Sequence, residues 1–203
     1  GMFAFAIFDF KENKLTLARD AFGIKPLYYE KYQNNFIFSS EIKAINVVND
    51  RKKELNWQRS YEYLIFGQYD FGKETFYKNI KSLEPGHYLE IDFNNYKNIT
   101  IKRWWKPKIK ERKISFLDAK TILREKFLNN VTKHLRSDVK IGAALSGGID
   151  SSAIVCAINH LEPDAEINTF SYIPKDYTFS EEKWIDIVNL RTGSTSNKFD
   201  FST

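Results

Sequence analysis

The sequence has little cysteine and little histidine. Cys156 is the one cysteine among 203 residues, so the chain can form no intramolecular disulfide, which is typical of proteins in a reducing compartment. The apolar run around Cys156 favours a small core residue over a catalytic thiol, because no base or charge is evident beside it. The spacing of the three histidines gives no metal site.

Long apolar runs are also missing. The longest, Met2 to Phe8, is far shorter than the ~20 residues of a membrane span. No basic segment precedes it, so neither a membrane partner nor a signal peptide is expected. Together with the single cysteine, this predicts a soluble cytoplasmic protein. A hydrophobic content of 42%, with 16% aromatic residues, excludes a disordered chain.

No charge of one sign dominates the sequence. The net charge is +5, and acidic residues are interleaved with the basic ones. The densest basic groups, residues 51–53 and 106–113, fall in predicted linkers. We interpret them as solvated surface and expect no nucleic-acid partner. Nucleic-acid binding stays open as the weaker alternative, and its affinity would depend on salt and on the basic linker.

The first half of the chain has the pattern of an antiparallel sheet. The segments MFAFAIFDF and NKLTLARD predict one hairpin, and PLYYEKY and NFIFSS predict a second. A short helix is predicted over Trp57–Phe66, with Tyr61, Leu64 and Ile65 on its packed face. The Pro85-Gly86 turn leads into another strand. The basic, aromatic segment KRWWKPKIKER predicts a domain boundary near residue 110.

The second half alternates strands and helices, which predicts a parallel sheet. Ser115 and Asp118 form a capping pattern for an amphipathic helix that ends near Arg136. The segments DVKIGAAL and EINTFSY read as strands, the first of them buried, and SAIVCAINHL reads as a buried helix. Ser180 is expected to cap a last helix that ends at Gly193. Its predicted packed face is formed by Trp184, Ile187 and Leu190.

The stretch LSGGIDSS, residues 145–152, lies between the end of a predicted strand and the start of a helix. Ligands bind at this end of parallel sheets. Gly147 and Gly148 let backbone N–H groups approach an anion, and the helix N-terminus adds partial positive charge. Further hydroxyl donors come from Ser146, Ser151 and Ser152. The carboxylate of Asp150 suits Mg²⁺, because phosphates would repel it otherwise. The combination predicts a ligand that carries pyrophosphate.

Three other loop motifs with similar sequences do not match this chain. A Walker A loop requires lysine after its glycines, where this chain has Ile149 and Asp150. The dinucleotide fingerprint G-x-G-x-x-G is absent. A nucleophile elbow requires glycine two residues before its serine, where Ala144 stands. A plain glycine turn with a serine cap remains open on these eight residues alone.

The loop and its approach, LRSDVKIGAALSGGIDSS, resemble the PP-loop of ATP pyrophosphatases, in the form found in glutamine-hydrolysing asparagine synthetases. Three segments of the first half resemble successive signatures of the glutaminase domain of that family: GMFAFAIFD, LARDAFGIKPLYY and FSSEIKAI. The segment KNIKSLEPGHYLEID resembles the end of that domain, and RWWKP resembles the linker after it. The matches follow the order of the family over most of residues 1–172, so together they are more specific than the loop alone.

The resemblance implies an enzyme with two coupled sites. An N-terminal nucleophile domain hydrolyses glutamine, and the ammonia passes through an internal tunnel. The second domain cleaves ATP between its α and β phosphates and activates aspartate as an acyl-adenylate, which ammonia converts to asparagine. The implied cofactors are ATP and Mg²⁺. The implied partners are small molecules (glutamine, aspartate or another carboxylate, and ATP) and, at full length, a homodimer.

The resemblance also implies roles for individual residues. The pyrophosphate-binding positions of the family fall on Ser146, Gly147, Gly148, Asp150, Ser151 and Ser152. Asp150 would help to hold Mg²⁺. Leu145 matches a position whose backbone contacts ATP. Tyr172 matches the position beside the nucleotide base, although an ordinary aromatic residue at a strand end is an alternative reading. Glu181 stands near a glutamate of the acidic helix start in the family.

In the first half, the resemblance points to structural residues rather than catalytic ones. Arg19 and Asp20 match an Arg-Asp pair, for which a structural ion pair or a domain-interface role is expected. Ser40 and Glu41 belong to a signature that resembles a domain-interface segment, and Lys43, which follows them, is alternatively part of a surface salt bridge. The nucleophilic cysteine of the family is expected upstream of Gly1. We therefore expect no catalytic residue in this chain, and neither glutaminase nor synthetase activity from it alone.

The predicted architecture has two incomplete domains. Residues 1–110 are expected to form the rear of an α+β, antiparallel-sheet glutaminase domain of the N-terminal nucleophile class. Residues 111–203 are expected to form the front of an α/β, parallel-sheet PP-loop domain, and we expect marginal stability for both. Two other functions stay open: an amidotransferase that acts on another carboxylate, such as a sugar acid of a surface polysaccharide, and a non-catalytic nucleotide-binding remnant.

Overall fold

The chain divides into two compact units, Gly1–Lys110 and Glu111–Thr203. The computed structural model describes residues 1–48, 53–69, 71–95, 99–174 and 180–200. Two of the residues in the first basic group, Arg51 and Lys52, lie outside the described residues. None of the described helices is long and apolar enough to cross a membrane.

The first unit is built mainly from antiparallel strands. In chain order its elements are β1 (Ala4–Asp9), β2 (Lys14–Arg19), β3 (Tyr28–Tyr32), β4 (Asn35–Ser39), α1 (Ile42–Val48), α2 (Trp57–Phe66), β5 (Lys81–Ser82), β6 (His87–Asp92), a 3₁₀ turn at Phe93–Asn95, and β7 (Ile99–Arg103). Within the described residues, one sheet has the order β1-β2-β6-β7 and the other has the order β4-β3-β5. Both predicted hairpins are confirmed, β1 with β2 and β3 with β4.

The core of the first unit follows from alternation along its strands. Leu15 and Leu17 on β2 and Leu89 and Ile91 on β6 are buried, two residues apart on each strand, and they pack with Tyr29 of β3. Asn13 and Gln33, which have φ angles of 51° and 50°, make the tight turns of the two hairpins. The core therefore joins residues of both sheets.

One expectation for the first unit is wrong, and some of its elements were not predicted. Helix α2 has the predicted bounds, but Tyr61, Leu64 and Ile65 are exposed, and its buried residue is Arg59. Sequence periodicity finds a helix face but does not say which face the neighbouring segment covers. Helix α1 was not predicted. Strand β7 was also missed, because its side chains are mostly exposed at a sheet edge and lack the alternation of a half-buried strand.

The second unit carries a parallel sheet, as predicted. Its elements are α3 (Phe116–His134), β8 (Gly142–Ala144), α4 (Ile149–Leu161), β9 (Asn168–Tyr172), α5 (Glu182–Thr192) and β10 (Thr195–Phe199). Both pairs in the described sheet, β10 with β9 and β9 with β8, are parallel. The core gathers residues of all three helices around α4, with Val131, Val155 and Ile185 among them.

The caps of helices α3 and α5 agree in part with the caps predicted from the sequence. Ser115 caps α3, since its side chain accepts a hydrogen bond from the Asp118 N–H at 3.1 Å. Gly193 ends α5 with a φ of 64°, as expected for a glycine C-cap. The N-cap of α5 is Glu181 rather than Ser180, although the Ser180 hydroxyl accepts from the Glu182 N–H at 3.3 Å.

Burial in the second unit differs from the sequence prediction. Strand β8 has three residues and is not buried, although Leu145 after it is. Helix α4 is only partly buried: Val155, Ala157 and Ile158 are buried, but Ile154 is exposed and Cys156 is half-buried. Helix α5 packs through Ile185, Asn189 and Thr192 instead of the predicted face. Strand β10 was missed because its sequence TSNKF has one apolar residue.

The prediction of the packed face of α5 is wrong because the face that packs against the sheet carries polar side chains. Trp184, Ile187 and Leu190 are all exposed. On the packed face, the Asn189 amide oxygen accepts a hydrogen bond from the Thr169 hydroxyl at 2.8 Å, and its N–H₂ donates to the Ser196 hydroxyl at 3.0 Å. A buried asparagine is tolerated when its polar atoms have partners, and a search for apolar periodicity does not find it.

Candidate functional site

The loop of residues 145–148 connects the carboxyl end of β8 to the first turn of α4. The Leu145 N–H donates to the Phe170 carbonyl at 3.0 Å, which continues the ladder between β8 and β9 by one residue. The Leu145 carbonyl accepts from the Ser171 hydroxyl at 2.7 Å. The loop therefore leaves the sheet where parallel sheets bind ligands, and its first residue is fixed on both sides of its backbone.

The hydroxyl of Ser151 organises the loop from inside. It donates to the Gly148 carbonyl at 3.2 Å and accepts from the Ser146 N–H at 3.2 Å. The Ser146 hydroxyl lies 3.1 Å from it and also accepts from the Gly148 N–H at 3.3 Å. Two of the three predicted hydroxyl donors therefore shape the loop. Among the described residues, the Ser152 hydroxyl has no hydrogen-bond partner.

Gly147 is the position in the loop that requires glycine. Its φ is 85°, a conformation that other residues rarely adopt, and a β-carbon there would lie 3.0 Å from the backbone oxygen of Glu181. The N-terminal turn of α5 therefore lies directly against the loop. Gly148 has an extended backbone instead and serves as the N-cap of α4, without a side-chain cap.

The first turn of α4 offers free hydrogen-bond donors. The N–H groups of Ile149, Asp150 and Ser151 have no acceptor among the described residues, and the first bonded one is Ser152, which donates to the Gly148 carbonyl at 3.1 Å. Unpaired N–H groups at a helix start, together with the positive end of the helix dipole, favour an anion. The loop thus has the donors that a phosphate group would use.

A cleft of about 510 Å³ opens beside the loop. This volume lies within the usual range for small-molecule sites. Its lining residues come from β8, the loop, the first turn of α4, the end of β9 with the segment after it, and the N-cap of α5: Ala144, Leu145, Ser146, Ser151, Phe170, Tyr172, Pro174 and Glu181. Phe170 stacks on Phe199 with ring centroids 6.2 Å apart, and its ring lies so close to Gly142 that a β-carbon there would clash. The lining therefore combines the aromatic rings of Phe170 and Tyr172 with polar groups of Ser146, Ser151 and Glu181.

The structure brings most of the residues predicted from the sequence to one place. Leu145, Ser146, Ser151 and Tyr172 line the cleft, and the other predicted residues lie in the adjoining loop and first helical turn: Gly147, Gly148, Asp150 and Ser152. Within the protein, the Leu145 N–H donates to the Phe170 carbonyl and the Leu145 carbonyl accepts from the Ser171 hydroxyl. A contact between the Leu145 backbone and ATP stays a prediction.

Sequence reasoning did not identify Phe170 and Pro174 as site residues, and it gave Glu181 no part in nucleotide binding. Phe170 stands two residues before Tyr172 on β9, so strand alternation places both rings on the same face of the sheet. That signal could have found Phe170. Glu181 lies at the cleft because α5 begins there, which depends on how the helix packs and not on local sequence.

Asp150, just after the loop, is a candidate ligand for a metal ion. Asp150 is exposed in the first turn of α4 and forms no ion pair with a described residue. In the described part of the chain, no three His, Cys, Asp or Glu side chains are close enough to form a metal site. A single carboxylate fits Mg²⁺, which is usually held by one or two carboxylates together with substrate phosphates and water.

In the first unit, Arg19 and Asp20 do not form the expected ion pair with each other. Both are buried, and no salt bridge between them occurs in the described structure. The Arg19 guanidinium donates to the carbonyls of Lys25, Gly23 and Leu83 at 2.7–2.8 Å. The pair therefore holds backbone segments in place, which is a structural role of another kind.

Asp20 is a backbone clamp. Its carboxylate accepts from the N–H groups of Phe22, Ile24 and Lys25 at 3.0–3.1 Å, and from that of Phe3 at 3.4 Å. Burial by itself raises the pKa of Asp20, but these N–H donors outweigh it and hold the pKa below its ordinary value. The clamp ties the start of β1 to the turn after β2.

In the signature FSSEIKAI, the side chains of Ser40, Glu41 and Lys43 lie on the surface, whereas that of Ile45 is buried. Glu41 forms an ion pair with Lys43 at 2.7 Å, in which both side chains are largely exposed. Such pairs contribute little to stability. Ser40 is also exposed. A domain-interface role for these residues stays a prediction.

Comparison with known proteins identifies both halves of the chain. The family model of the glutamine amidotransferase domain matches residues 1–105, and the asparagine synthase model matches residues 122–203. The chain belongs to the family of glutamine-hydrolysing asparagine synthetases. The resemblance seen in the sequence is thereby confirmed.

Three relatives from Bacillus subtilis (strain 168) show how much of the family this chain represents. Asparagine synthetase [glutamine-hydrolyzing] 3 is 34% identical over 98% of this chain and 34% of its own length. Asparagine synthetases 2 and 1, with the same bracketed name, are each 35% identical, over 90% and 89% of this chain and over 25% and 28% of their own lengths. The chain therefore spans about a third or less of the length of these relatives.

Proposed function

We propose that this chain is part of an ATP-dependent, glutamine-hydrolysing asparagine synthetase, and that residues 146–152 bind the pyrophosphate moiety of Mg-ATP. The observation that carries the proposal is the row of free N–H groups at the start of α4, beside a cleft of suitable size. The two family matches occur in the order that this enzyme requires. The geometry supports the phosphate site, and the family matches support the reaction.

The proposed reaction couples two steps. Glutamine hydrolysis gives glutamate and ammonia. A carboxylate oxygen of aspartate attacks the α-phosphorus of ATP, pyrophosphate leaves, and the resulting acyl-adenylate has AMP as a good leaving group. Ammonia then attacks the acyl carbon, AMP departs, and asparagine forms after loss of a proton. Activation is needed because an unmodified carboxylate has no adequate leaving group.

Each loop residue has a distinct part in this proposal. The N–H groups of Ile149, Asp150 and Ser151 and the free hydroxyl of Ser152 donate to phosphate oxygens. Ser146 and Ser151 keep the loop open by binding to each other and to Gly148. Tyr172, which also lines the cleft, is proposed to contact the base.

Mg²⁺ belongs to the proposal as the counter-ion of the phosphates. Asp150 would hold it, and Glu181 brings a second carboxylate to the cleft that phosphates would repel without a cation between them. The ion would neutralise charge on the pyrophosphate as it leaves. A cytoplasmic location and a homodimer of the whole protein complete the proposal.

The two units take different parts in the proposed reaction. We propose that the first is the rear of a glutaminase domain of the N-terminal nucleophile class and that the second is the front of a PP-loop domain. Cys156 is half-buried in α4 of the second unit and is no candidate for the glutaminase nucleophile. This chain alone is therefore expected to hydrolyse no glutamine.

The direct test of the ATP site is calorimetric titration of the 203-residue chain with Mg-ATP. Asp150→Ala is expected to weaken binding by a factor of about ten or more, because a Mg²⁺ ligand is lost. Asp164→Ala is the matched control, since it removes an exposed carboxylate from the turn between α4 and β9. Equal effects of the two substitutions would contradict the assigned role of Asp150.

The identity of the acceptor needs a second experiment. The gene product isolated from its source, supplied with ammonia and Mg-ATP, is expected to release pyrophosphate in the presence of aspartate. Release with another carboxylate, but not with aspartate, would identify a related amidotransferase. ATP binding without pyrophosphate release on any carboxylate would instead indicate a nucleotide-binding remnant.

A further inference from the structure

We infer that Ser171 is a positioning residue for the pyrophosphate loop: its buried hydroxyl fixes the peptide plane between Leu145 and Ser146 and thereby sets the loop for its ligand. This inference rests on the proposed function of the loop. Ser171 does not line the cleft, so it acts through Leu145 and not by contact with the nucleotide.

The geometry of the contact is specific. Ser171 is 3% exposed and its hydroxyl donates to the Leu145 carbonyl at 2.7 Å, while Leu145 is 1% exposed. Strands β8 and β9 pair as far as Ala144 and Phe170, so this contact lies one residue beyond their last paired position. A side chain therefore continues the attachment where the main chain turns away from the sheet.

The planarity of the peptide transmits this constraint to the loop. In a trans peptide the carbonyl and the following N–H point in opposite directions. When the Leu145 carbonyl is held towards Ser171, the Ser146 N–H must point to the other side, where it donates to the Ser151 hydroxyl at 3.2 Å. Ser151 in turn binds the Gly148 carbonyl, at the N-cap of α4. Ser171, Ser146, Ser151 and Gly148 thus form one chain of contacts.

The neighbouring residue on the same face of β9 provides a contrast. Thr169 is also fully buried, and its hydroxyl donates to the Asn189 amide oxygen at 2.8 Å, away from the loop. Loss of either hydroxyl leaves a buried acceptor without its donor, so both losses destabilise the fold. Only the loss at Ser171 is expected to disturb the loop.

The experiment compares Ser171→Ala with Thr169→Val in the full 203-residue chain, labelled with ¹⁵N. In Ser171→Ala, the amide resonances of Ser146 and Gly148 are expected to shift and to exchange with solvent faster than in the wild type. The Kd for Mg-ATP is expected to rise about tenfold, by analogy with the loss of other positioning contacts. In Thr169→Val, the loop resonances and the Kd are expected to stay near wild-type values.

Unchanged loop amides in Ser171→Ala, or equal changes in the two variants, would overturn the inference. Suppose that the wild-type chain does not bind Mg-ATP, but that the amides of Ser146 and Gly148 shift and exchange faster in Ser171→Ala and not in Thr169→Val. This result would overturn the proposed function and would support the positioning contact. Ser171→Cys replaces the hydroxyl with a thiol, which is a weaker donor, so the shifts and the faster exchange of the loop amides are expected to be smaller than in Ser171→Ala. It provides the same test if the alanine variant does not fold.

Discussion

Gly147 faces the N-terminus of α5 so closely that a β-carbon at this position would lie 3.0 Å from both the β-carbon and the backbone oxygen of Glu181. The backbone oxygen cannot move without displacing the helix. The loop of residues 145–148 is therefore held by two contacts, one with the N-terminus of α5 and one with the buried hydroxyl of Ser171. A loop fixed in this way can keep its donors directed outward before a ligand arrives.

The first prediction concerns Gly147→Ala. Its φ of 85° strains any side chain, and the contact with Glu181 adds overlap, so we expect a loss of about 2 kcal/mol or more in the free energy of unfolding. Binding of Mg-ATP should be lost as well. Urea unfolding and calorimetric titration measure the two effects.

Gly193→Ala is the matched control for that prediction. Gly193 has a φ of 64°, but no atom lies within 4 Å of the place that a β-carbon would take, so only the backbone strain of about 1 kcal/mol applies. Its affinity for Mg-ATP should stay unchanged. Equal losses of stability and of affinity in both variants would show that the contact with Glu181 has no part in the loop.

A second prediction separates the two serines at the start of α4. Ser151→Ala removes the hydroxyl that holds the loop, so it should cost about 1 kcal/mol of stability and weaken Mg-ATP binding. Ser152→Ala removes a hydroxyl with no partner in the described structure, so stability should change by less than about 0.5 kcal/mol while binding still weakens. Thermal unfolding and titration of both variants check this. The reverse order of stability losses would contradict the assignment.

A third prediction follows from the clamp formed by Asp20. The pKa of its carboxyl group is held below the ordinary value of 3.8, so the charged form stabilises the folded state. This contribution is present in full above pH 3.8 and is lost as the pH falls through the lower folded pKa. Asp20→Asn should therefore lower stability at neutral pH and flatten the acid limb of the stability curve. The free energy of unfolding between about pH 2 and 7 measures both effects.

Asp9→Asn is the control for the clamp. The Asp9 carboxylate also accepts two backbone N–H groups, those of Lys11 and Glu12, but it is exposed at the end of β1. Its substitution should lower the free energy of unfolding at neutral pH much less than Asp20→Asn does. An acid limb that is the same in wild type and in Asp20→Asn would show that Asp20 does not control acid unfolding.

A fourth prediction tests the start of α3. Ser115 caps this helix, so Ser115→Ala should cost about 1 kcal/mol. Thr132→Ala, on the same helix, removes only an exposed hydroxyl bonded to the Leu128 carbonyl and should be nearly neutral. Thermal unfolding ranks the two, and neither substitution should change the affinity for Mg-ATP. A larger loss in Thr132→Ala would contradict the capping assignment.

Local patterns were sufficient to predict much of the fold. The β-forming residues of MFAFAIFDF and NKLTLARD, with a short polar turn between them at residues 11–13, predicted the first hairpin, since these features act over a few residues. The capping pattern of Ser115 predicted the start of α3 for the same reason. The loop and helix start at residues 145–152 were recognisable because their glycines and serines follow a strand directly.

The errors lie where burial depends on distant segments. Arg59 is buried on α2 because its guanidinium binds the Glu74 carbonyl, fifteen positions away, at 3.2 Å. Asn189 is buried on α5 because β9 and β10 supply its partners. Glu181 belongs to the cleft because of the way α5 packs. Periodicity alone could not predict any of these three.

The measurement that tests the central claim most directly is a titration of the ¹⁵N-labelled chain with Mg-ATP, followed through its amide resonances. We expect saturable shifts that are largest at residues 146–152, above all at the free N–H groups of Ile149, Asp150 and Ser151. Magnesium pyrophosphate should shift the same amides. The account would be contradicted if these amides did not respond, or if the shifts appeared instead along the exposed basic segment at residues 106–113.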